Sequence, residues 1–236
     1  MGQSFFIWNG KDCRSMGVYL RGPAPIVRAE ERVKHAEIPG RSGDLTETEG
    51  ENIFNSYIQT VSIGVKNSYQ VRDVFRWLRG SGMVTFSGEP DRRQQARVIG
   101  AITLNRVSRN MDRWAGEVQF YCQPFKEMLR QENTSVAPGG NLRNRGDVTE
   151  KPSFVLTPTA SSVLVAAGGK SLAITGLTVG TEIRINSDTE MIRTTIGQDD
   201  LTTKSVGDFP VLLVGDNRIT GSGWTTATVE RRERFL

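Results

Sequence analysis

The clearest alternation of apolar and polar positions runs from Tyr57 to Val65. One face of this segment collects most of its large apolar side chains, namely Tyr57, Val61, Ile63 and Val65. The other face carries Ile58, Thr60 and Ser62. A period of two residues is typical of a β-strand with one buried face. The pattern therefore predicts a strand that is buried on one side and wet on the other.

A helical period follows this strand. The apolar residues recur at i, i+3, i+4 and i+7, which are Val71, Val74, Phe75 and Leu78. Ser68 is placed to cap the N-terminus and Gly80 to end the helix in a left-handed conformation. Trp77 lies off the predicted stripe. It packs either in a second layer of its own domain or against a neighbouring chain, and both alternatives stay open here.

Two later segments also alternate and predict an antiparallel hairpin. Its first strand places Val98, Ile102 and Leu104 on one face, and its second places Trp114, Val118, Phe120 and Cys122 on one face, with Arg109–Asp112 as the turn. Together with the strand at 57–65 and the helix, this predicts for residues 1–130 an antiparallel β domain with one covering α-helix.

The segment from Ile38 to Gly50 interrupts this pattern. Pro39 stops a helix, and Gly40, Gly43 and Gly50 allow positive φ, so the segment is predicted to be an irregular loop. It carries both signs of charge and exceeds the few residues that a turn needs. It is either an interaction element or a solvated surface loop.

The second half of the chain predicts a mainly β domain of its own, residues 131–236. Its first part, from Gln131 to Val148, has few large apolar residues and the composition of a linker with one short strand. Short strands separated by Gly, Asn, Asp and Ser follow, and they are Phe154–Leu156, Val163–Val165, Leu172–Ile174, Ile183–Ile185, Met191–Arg193, Val211–Val214 and Thr226–Val229. This spacing predicts a β-sandwich of jelly-roll or galectin-like topology.

Charge and composition narrow the function classes. The chain has 30 basic and 26 acidic residues, a formal charge of +4, and its basic residues are spread out. Specific nucleic-acid binding, which calls for clustered cations, is not expected. No run of about 18 apolar residues suggests a membrane span, and no signal peptide is seen. A soluble protein of a reducing cytoplasm follows, with Cys13 and Cys122 as free buried thiols rather than a disulfide.

Candidate catalytic chemistry is sparse. His35 is the single histidine and sits in a charged alternation typical of a wet strand. One histidine and two distant cysteines cannot complete a zinc site. The acidic residues of the polar segment could form a carboxylate pair for sugar hydrolysis or a calcium site, and they are Asp44, Glu47, Glu49 and Glu51. Their spacing favours a polar assembly loop instead. No enzyme activity, metal or cofactor is predicted.

A series of short motifs gives the chain a family resemblance. In the N-terminal half these are Phe5–Cys13, Met16–Val18, Ile38–Gly50, Gly88–Arg92 and Phe120–Lys126. In the C-terminal half they are Lys151–Phe154, Ile183–Ser187, Gly207–Pro210 and Gly215–Asn217. In order and spacing, the series resembles the distal tail proteins of long-tailed bacteriophages.

The resemblance implies a structural protein of the virion, assembled in the host cytoplasm and located at the tail tip. It implies a hexameric hub ring between the tail-tube protein and the tail-associated protein, whose galectin-like domains contact receptor-binding or baseplate proteins. Ring formation is expected in residues 1–130. The interface candidates are Trp8 of the aromatic N-terminus, Trp77 and the charged residues Arg41, Asp44, Glu47 and Glu49.

An alternative function is a carbohydrate-binding module that contacts the host cell wall through the C-terminal sandwich. Galectins that bind sugar use His, Asn, Arg and Trp on one sheet. This half of the chain has Trp224 but no histidine. We therefore expect no useful glycan affinity, and the hub protein remains the preferred hypothesis.

Overall fold

The computed structural model describes residues 4–48, 50 and 52–236. The chain divides into two compact units. The N-terminal unit ends at Leu129 and includes Leu236, and the C-terminal unit spans Arg130–Phe235. Both are built from antiparallel strand pairs, which confirms the predicted mainly β fold class. No helix among the described residues is long and apolar enough to cross a membrane.

The N-terminal unit is organised around one long strand. Its strands are β1 (Phe6–Trp8), β2 (Lys11–Asp12), β3 (Val18–Leu20), β4 (Val33–Ala36), β5 (Leu45–Thr48), β6 (Tyr57–Val65), β7 (Ser81–Phe86), β8 (Arg92–Ile99), β9 (Leu104–Ser108) and β10 (Met111–Met128). The main sheet has the order β2-β1-β7-β8-β10-β6-β3, and β9 also pairs with β10. The β9–β10 pair confirms the predicted turn and second strand of the hairpin. The predicted first strand was wrong in part, because Val98 lies on β8, Leu104 on β9 and Ile102 on neither.

Burial of β6 follows the predicted alternation. Val61, Ile63 and Val65 are buried, whereas Ile58 and Thr60 on the other face are exposed. The register places each β6 residue opposite one of β10, from Tyr57 against Cys122 to Val65 against Trp114. One face of the sheet therefore supplies most of the apolar core of this unit.

The helix α1 (Ser68–Trp77) covers that core, with two differences from the prediction. Its N-cap is Asn67 rather than Ser68, and the Asn67 side chain makes no capping hydrogen bond to the helix. Instead, Asp112 Oδ2 accepts hydrogen bonds from the Ser68 amide and hydroxyl, both at 2.9 Å. The bond from the Ser68 amide is the main reason that the pKa of Asp112 is lowered.

The buried stripe of α1 is also rotated from the predicted one. It is centred on Val74, which is fully buried, and Phe75 is 39% exposed. At 100° per residue, Trp77 lies about 60° to one side of Val74 and Phe75 about 100° to the other. Trp77 therefore packs on the core and Phe75 does not.

The predicted loop is a hairpin in part. Strand β5 pairs with β4 in the register Val33–Thr48 to Ala36–Leu45, so the prediction of an irregular loop throughout was wrong. Apart from Val33, every residue of these two strands and of the tip between them is exposed. We call residues 33–48 the hairpin arm. Its two strands form a sheet of their own.

The C-terminal unit consists of short strands. They are β11 (Thr134–Val136), β12 (Asn141–Asn144), β13 (Ser153–Leu156), β14 (Ser162–Ala167), β15 (Lys170–Thr175), β16 (Ile183–Asn186), β17 (Met191–Thr194), β18 (Ser205–Gly207), β19 (Gly215–Arg218), β20 (Thr220–Ser222), β21 (Ala227–Glu230) and β22 (Arg234–Phe235). A five-stranded sheet has the order β11-β21-β13-β16-β17, and a four-stranded sheet has the order β18-β15-β14-β20. Residues of both sheets share one apolar core, so the unit is a sandwich.

Two predictions for this unit were wrong. The segment Gln131–Val148 is not a linker, because β11 and β12 are part of the unit and bring Val136 and Leu142 into its core. The run Val211–Val214 is not a strand. Within it Leu212 is fully buried and forms only an isolated bridge with Glu150, while Val214 is 58% exposed.

Candidate functional site

The hairpin arm is the most exposed regular element of the N-terminal unit. A two-stranded hairpin is marginally stable in water unless another element covers it. The side chains of this arm are almost all directed into solvent. Nearly all side chains of the arm are therefore available for contact with another molecule.

Most of the predicted charged site residues lie on this arm. Arg41 and Asp44 are at its exposed tip, and Glu47 is on β5. Glu49 lies outside the described residues. Within the described part of the chain, no ion pair joins Arg41 to Asp44 or Glu47, which is compatible with pairing to another chain.

The arm holds no catalytic arrangement among its described residues. His35 is exposed on β4, and its Nδ1 lies 3.3 Å from the Thr46 hydroxyl on β5. No group of three or more His, Cys, Asp or Glu side chains in the described residues is placed to hold a metal ion.

The chain enters the arm through a segment that two buried side chains hold. Gln59 Nε2 on β6 donates to the Pro25 carbonyl at 2.8 Å, and Lys126 Nζ on β10 donates to the Val27 carbonyl at 2.9 Å. Gln59 is 2% exposed and Lys126 4%. The sequence predicts burial of neither residue, although Lys126 ends the motif Phe120–Lys126, because a polar residue in an alternating strand gives no indication of burial.

Lys126 also belongs to a charged cluster. Its Nζ lies 2.6 Å from Glu89 Oε2, and Glu89 Oε1 accepts from Arg92 Nη1 at 2.7 Å. Burying a lysine is costly unless it is paired. Two of the sequence motifs, Gly88–Arg92 and Phe120–Lys126, thus meet in space through this one ion pair.

The chain leaves the arm along a second set of contacts. The Asn55 amide donates to the Glu30 carbonyl at 2.8 Å, and the Arg32 amide donates to the Ile53 carbonyl at 2.9 Å. The Phe54 ring packs edge-on against the Phe125 ring, with 5.7 Å between centroids. We call the segments 22–32 and 52–56 together the arm root.

The aromatic site candidates lie elsewhere. Trp8 is fully buried, and its ring centroid is 5.4 Å from that of Phe120. The prediction of Trp8 as an interface residue was therefore wrong. Trp77 is partly buried and stacks on Phe6 at 5.5 Å. The Trp8 and Trp77 indoles each donate to the other residue's carbonyl, at 3.1 and 3.3 Å, which supports packing of Trp77 within the unit.

Cys13 and Cys122 are free and fully buried, as predicted. Burial is the main cause that raises the pKa of Cys13, and it raises the pKa of Cys122 to about 12. Burial also raises the pKa of the Tyr57 phenol, whose hydroxyl donates to Gln94 Oε1 at 2.9 Å. These groups are neutral near pH 7 and belong to the core.

The C-terminal unit has a charged network of its own. Arg231 Nη2 lies 3.1 Å from Glu150 Oε2 and 2.7 Å from Glu233 Oε1. Arg145 Nη2 reaches Glu233 Oε2 at 3.3 Å, and the Arg232 amide donates to Glu150 Oε1. The network joins the start of this unit to its last residues.

Trp224, the aromatic candidate for sugar binding, is 4% exposed and donates from Nε1 to the Leu164 carbonyl at 2.9 Å. Its ring is part of the sandwich core and cannot stack on a sugar. A groove of about 300 Å³ lies on β16 and β17, with Arg184, Arg193 and Met191 among its lining residues. None of the residues that line this groove is aromatic.

Comparison with solved structures identifies the fold. The Dit (gp 19.1) protein of phage SPP1, described as a paradigm of the hub adsorption apparatus in phages that infect Gram-positive hosts, matches at a TM-score of 0.79 with 17% identity, over 100% of both chains. The chain has the fold of a phage distal tail protein. No protein-family model and no curated protein matches the sequence.

Chains of the phage P2 baseplate in its activated conformation match less closely. With Ca the TM-score is 0.49 at 10% identity, over 99% of this chain and 98% of that chain. With Sr it is 0.47 at 9% identity, over 98% and 97%.

Proposed function

We propose that this protein is a structural component of a phage virion, a distal tail protein that forms a hexameric hub ring at the tail tip. The ring joins the tail tube to the tail-associated protein and to receptor-binding or baseplate proteins. The observation that carries the proposal is the match of the whole chain, both units included, to the SPP1 hub protein.

The hairpin arm supports the assembly part of this proposal. A closed ring needs two different, complementary surfaces on each subunit. The arm offers one such surface, because it is exposed and carries cations such as Arg41 beside anions such as Asp44 and Glu47. We propose that Arg41 of one copy meets Asp44 or Glu47 of the next. Mixed charge of this kind sets the register of a contact more than its strength.

The mass of the purified chain in solution tests the ring. Six copies of the 26.1 kDa chain give about 157 kDa. Native mass spectrometry should show this species as a discrete assembly, and negative-stain microscopy should show rings. A chain that stays monomeric at every concentration examined would contradict the proposal.

The position in the virion needs a separate test. Gold-labelled antibody raised against the purified chain should bind only the end of the tail that lies away from the capsid. Labelling along the whole tail, or none on intact virions, would remove the tail-tip assignment even if the chain forms rings.

A further inference from the structure

The entering segment of the arm root, residues 22–32, has few apolar anchors. In the entering segment only Ala24 and Ala29 are buried, and both are small. Ile26, the largest apolar side chain of that segment, is 67% exposed. The apolar contact area of two alanines contributes little at about 25 cal/mol per Å². Polar contacts must therefore fix the position of this segment on the sheet.

Two of those contacts come from buried side chains and end on backbone carbonyls. Gln59 reaches Pro25 and Lys126 reaches Val27. The bond from Lys126 is charge-assisted, and such bonds are stronger than neutral ones. Since Pro25 and Val27 are two residues apart, the two bonds fix the direction of the chain as well as its position.

The ion pair with Glu89 fixes Lys126 in turn. Glu89 Oε2 lies 2.6 Å from Lys126 Nζ, and its other oxygen is held by Arg92. Gly88 lets the entering segment approach this point, because a Cβ there would lie 2.9 Å from Ile26 Cγ1 and 3.3 Å from the Ala24 carbonyl oxygen. The turn before β8 and the end of β10 thus both contact the entering segment of the arm root and fix its position.

An irregularity in β10 places a second contact beside the first. The pairing of β10 with β8 shifts register between Cys122 and Lys126, where Pro124 lacks the amide that a regular ladder needs. Phe125 contacts Phe54 on the chain leaving the arm, and Lys126 contacts Val27 on the chain entering it. Consecutive residues of one strand therefore hold both sides of the arm root.

We propose that the Lys126–Glu89 pair is a latch that sets the direction in which the hairpin arm leaves the N-terminal unit. Lys126 is a positioning residue. Its side chain is buried, and it acts by ordering the arm root so that the arm meets the next subunit at one angle. The consequence for assembly rests on the function proposed above, whereas the ordering of the arm root does not.

The test measures amide hydrogen exchange and assembly on the same full-length chains. Lys126→Met keeps an unbranched side chain, one atom shorter than lysine, and removes its donors. The amides of Arg32 and Asn55 should then exchange at least about tenfold faster, since a hydrogen bond to a charged group is lost. The amides of Ile63 and Val118 in the core should be unchanged. Lys66→Met, at an exposed lysine of the same unit, is the matched control and should change neither set.

Glu89→Gln is the second variant, because removing a buried lysine can unfold a protein. It removes the charge of the pair but leaves the Lys126 bond to Val27 in place. Its effect on Arg32 and Asn55 should have the same location and a smaller size. Unchanged exchange at the arm root in both variants would overturn the latch. So would equal acceleration in the arm root and the core, because the pair would then serve the whole fold.

Assembly separates the latch from the proposed function. Faster exchange confined to the arm root together with loss of the ring supports both. If the arm root exchanges faster and the ring persists, the latch stands and the arm is not the ring contact. A ring that is lost while arm-root exchange is unchanged overturns the latch.

Discussion

The two units use buried charge in different ways. In the C-terminal unit, Arg231 lies between Glu150 and Glu233, and all three belong to one sandwich. In the N-terminal unit, Lys126 pairs with Glu89 and donates a further hydrogen bond to the Val27 carbonyl in the arm root. The first network joins parts of the same unit to one another. The second holds an element whose own surface is exposed.

The two units also differ in the burial of their strands. The regular strands of the sandwich alternate between buried and exposed positions, as in β14 and β15. The hairpin arm has no buried side at all. An exposed two-stranded hairpin gains little stability from its own side chains. We therefore propose that the contact between subunits lies in the N-terminal unit.

The largest expected effects concern the two buried indoles. Trp8→Ala and Trp224→Ala should each lower the free energy of unfolding by about 3–5 kcal/mol, because each leaves a cavity in a core. Urea denaturation followed by circular dichroism measures this loss. Leu213→Ala, at a half-exposed site, is the control and should cost under about 0.5 kcal/mol. A Trp8→Ala chain of full stability that no longer assembles would return Trp8 to the interface.

A smaller effect concerns how the stability of the C-terminal unit depends on pH. It distinguishes the carboxyl group of Glu150 from that of Glu233. Burial raises the pKa of Glu150, so its charged form is disfavoured in the fold. Burial also opposes ionisation of Glu233, but the hydrogen bonds from Arg145 and the charge of Arg231 together lower the pKa of Glu233. The stability that Glu150 contributes is present below its pKa in the unfolded chain and is lost as pH rises through its pKa in the folded chain. The stability that Glu233 contributes is present above its pKa in the unfolded chain and is lost as pH falls through its pKa in the folded chain.

The two neutral variants should therefore change in opposite directions. As pH rises from acid to neutral, Glu150→Gln should gain stability relative to the parent chain, and Glu233→Gln should lose it. Urea denaturation at a series of pH values measures both. If the stability of both variants relative to the parent chain changes with pH in the same direction, the pKa values of Glu150 and Glu233 are not shifted in opposite directions.

The smallest expected effect is at the tip of the arm. Arg41→Glu should weaken the ring by about 1 kcal/mol or less per contact, since exposed ion pairs contribute little. The change should appear in dilution series followed by mass photometry and should grow as salt is lowered. Arg143→Glu, an equal charge change on the exposed side of β12, should leave assembly unchanged. Equal weakening by both would mean that net charge, and not the arm, is responsible.

Elements with one buried face could be predicted, because burial leaves a period of apolar residues in the sequence. The alternation in β6 and in β10 is visible because one face of each strand is apolar. The arm was missed for the same reason, since a strand such as Leu45–Thr48 with both faces in solvent has no apolar period. Glycines at its tip then made the whole segment resemble a loop.

The remaining errors also have physical causes. Asn144 in the predicted linker is 1% exposed, but it is accommodated because its amide donates to the carbonyls of Val148 and Leu212. Lys126 is buried because Glu89, 37 residues away, neutralises it. Partners at such separations are set by the fold and leave no local pattern in the sequence.

The most direct test of the account is sedimentation velocity of the full-length chain with residues 33–48 replaced by a short Gly-Ser loop. Because almost every side chain removed is exposed, the shortened chain should keep its fold, as circular dichroism can verify. We predict that the parent chain sediments as a six-membered assembly and the shortened chain as a monomer. A shortened chain that is folded and still forms the same assembly would contradict the claim that the arm carries the ring contact.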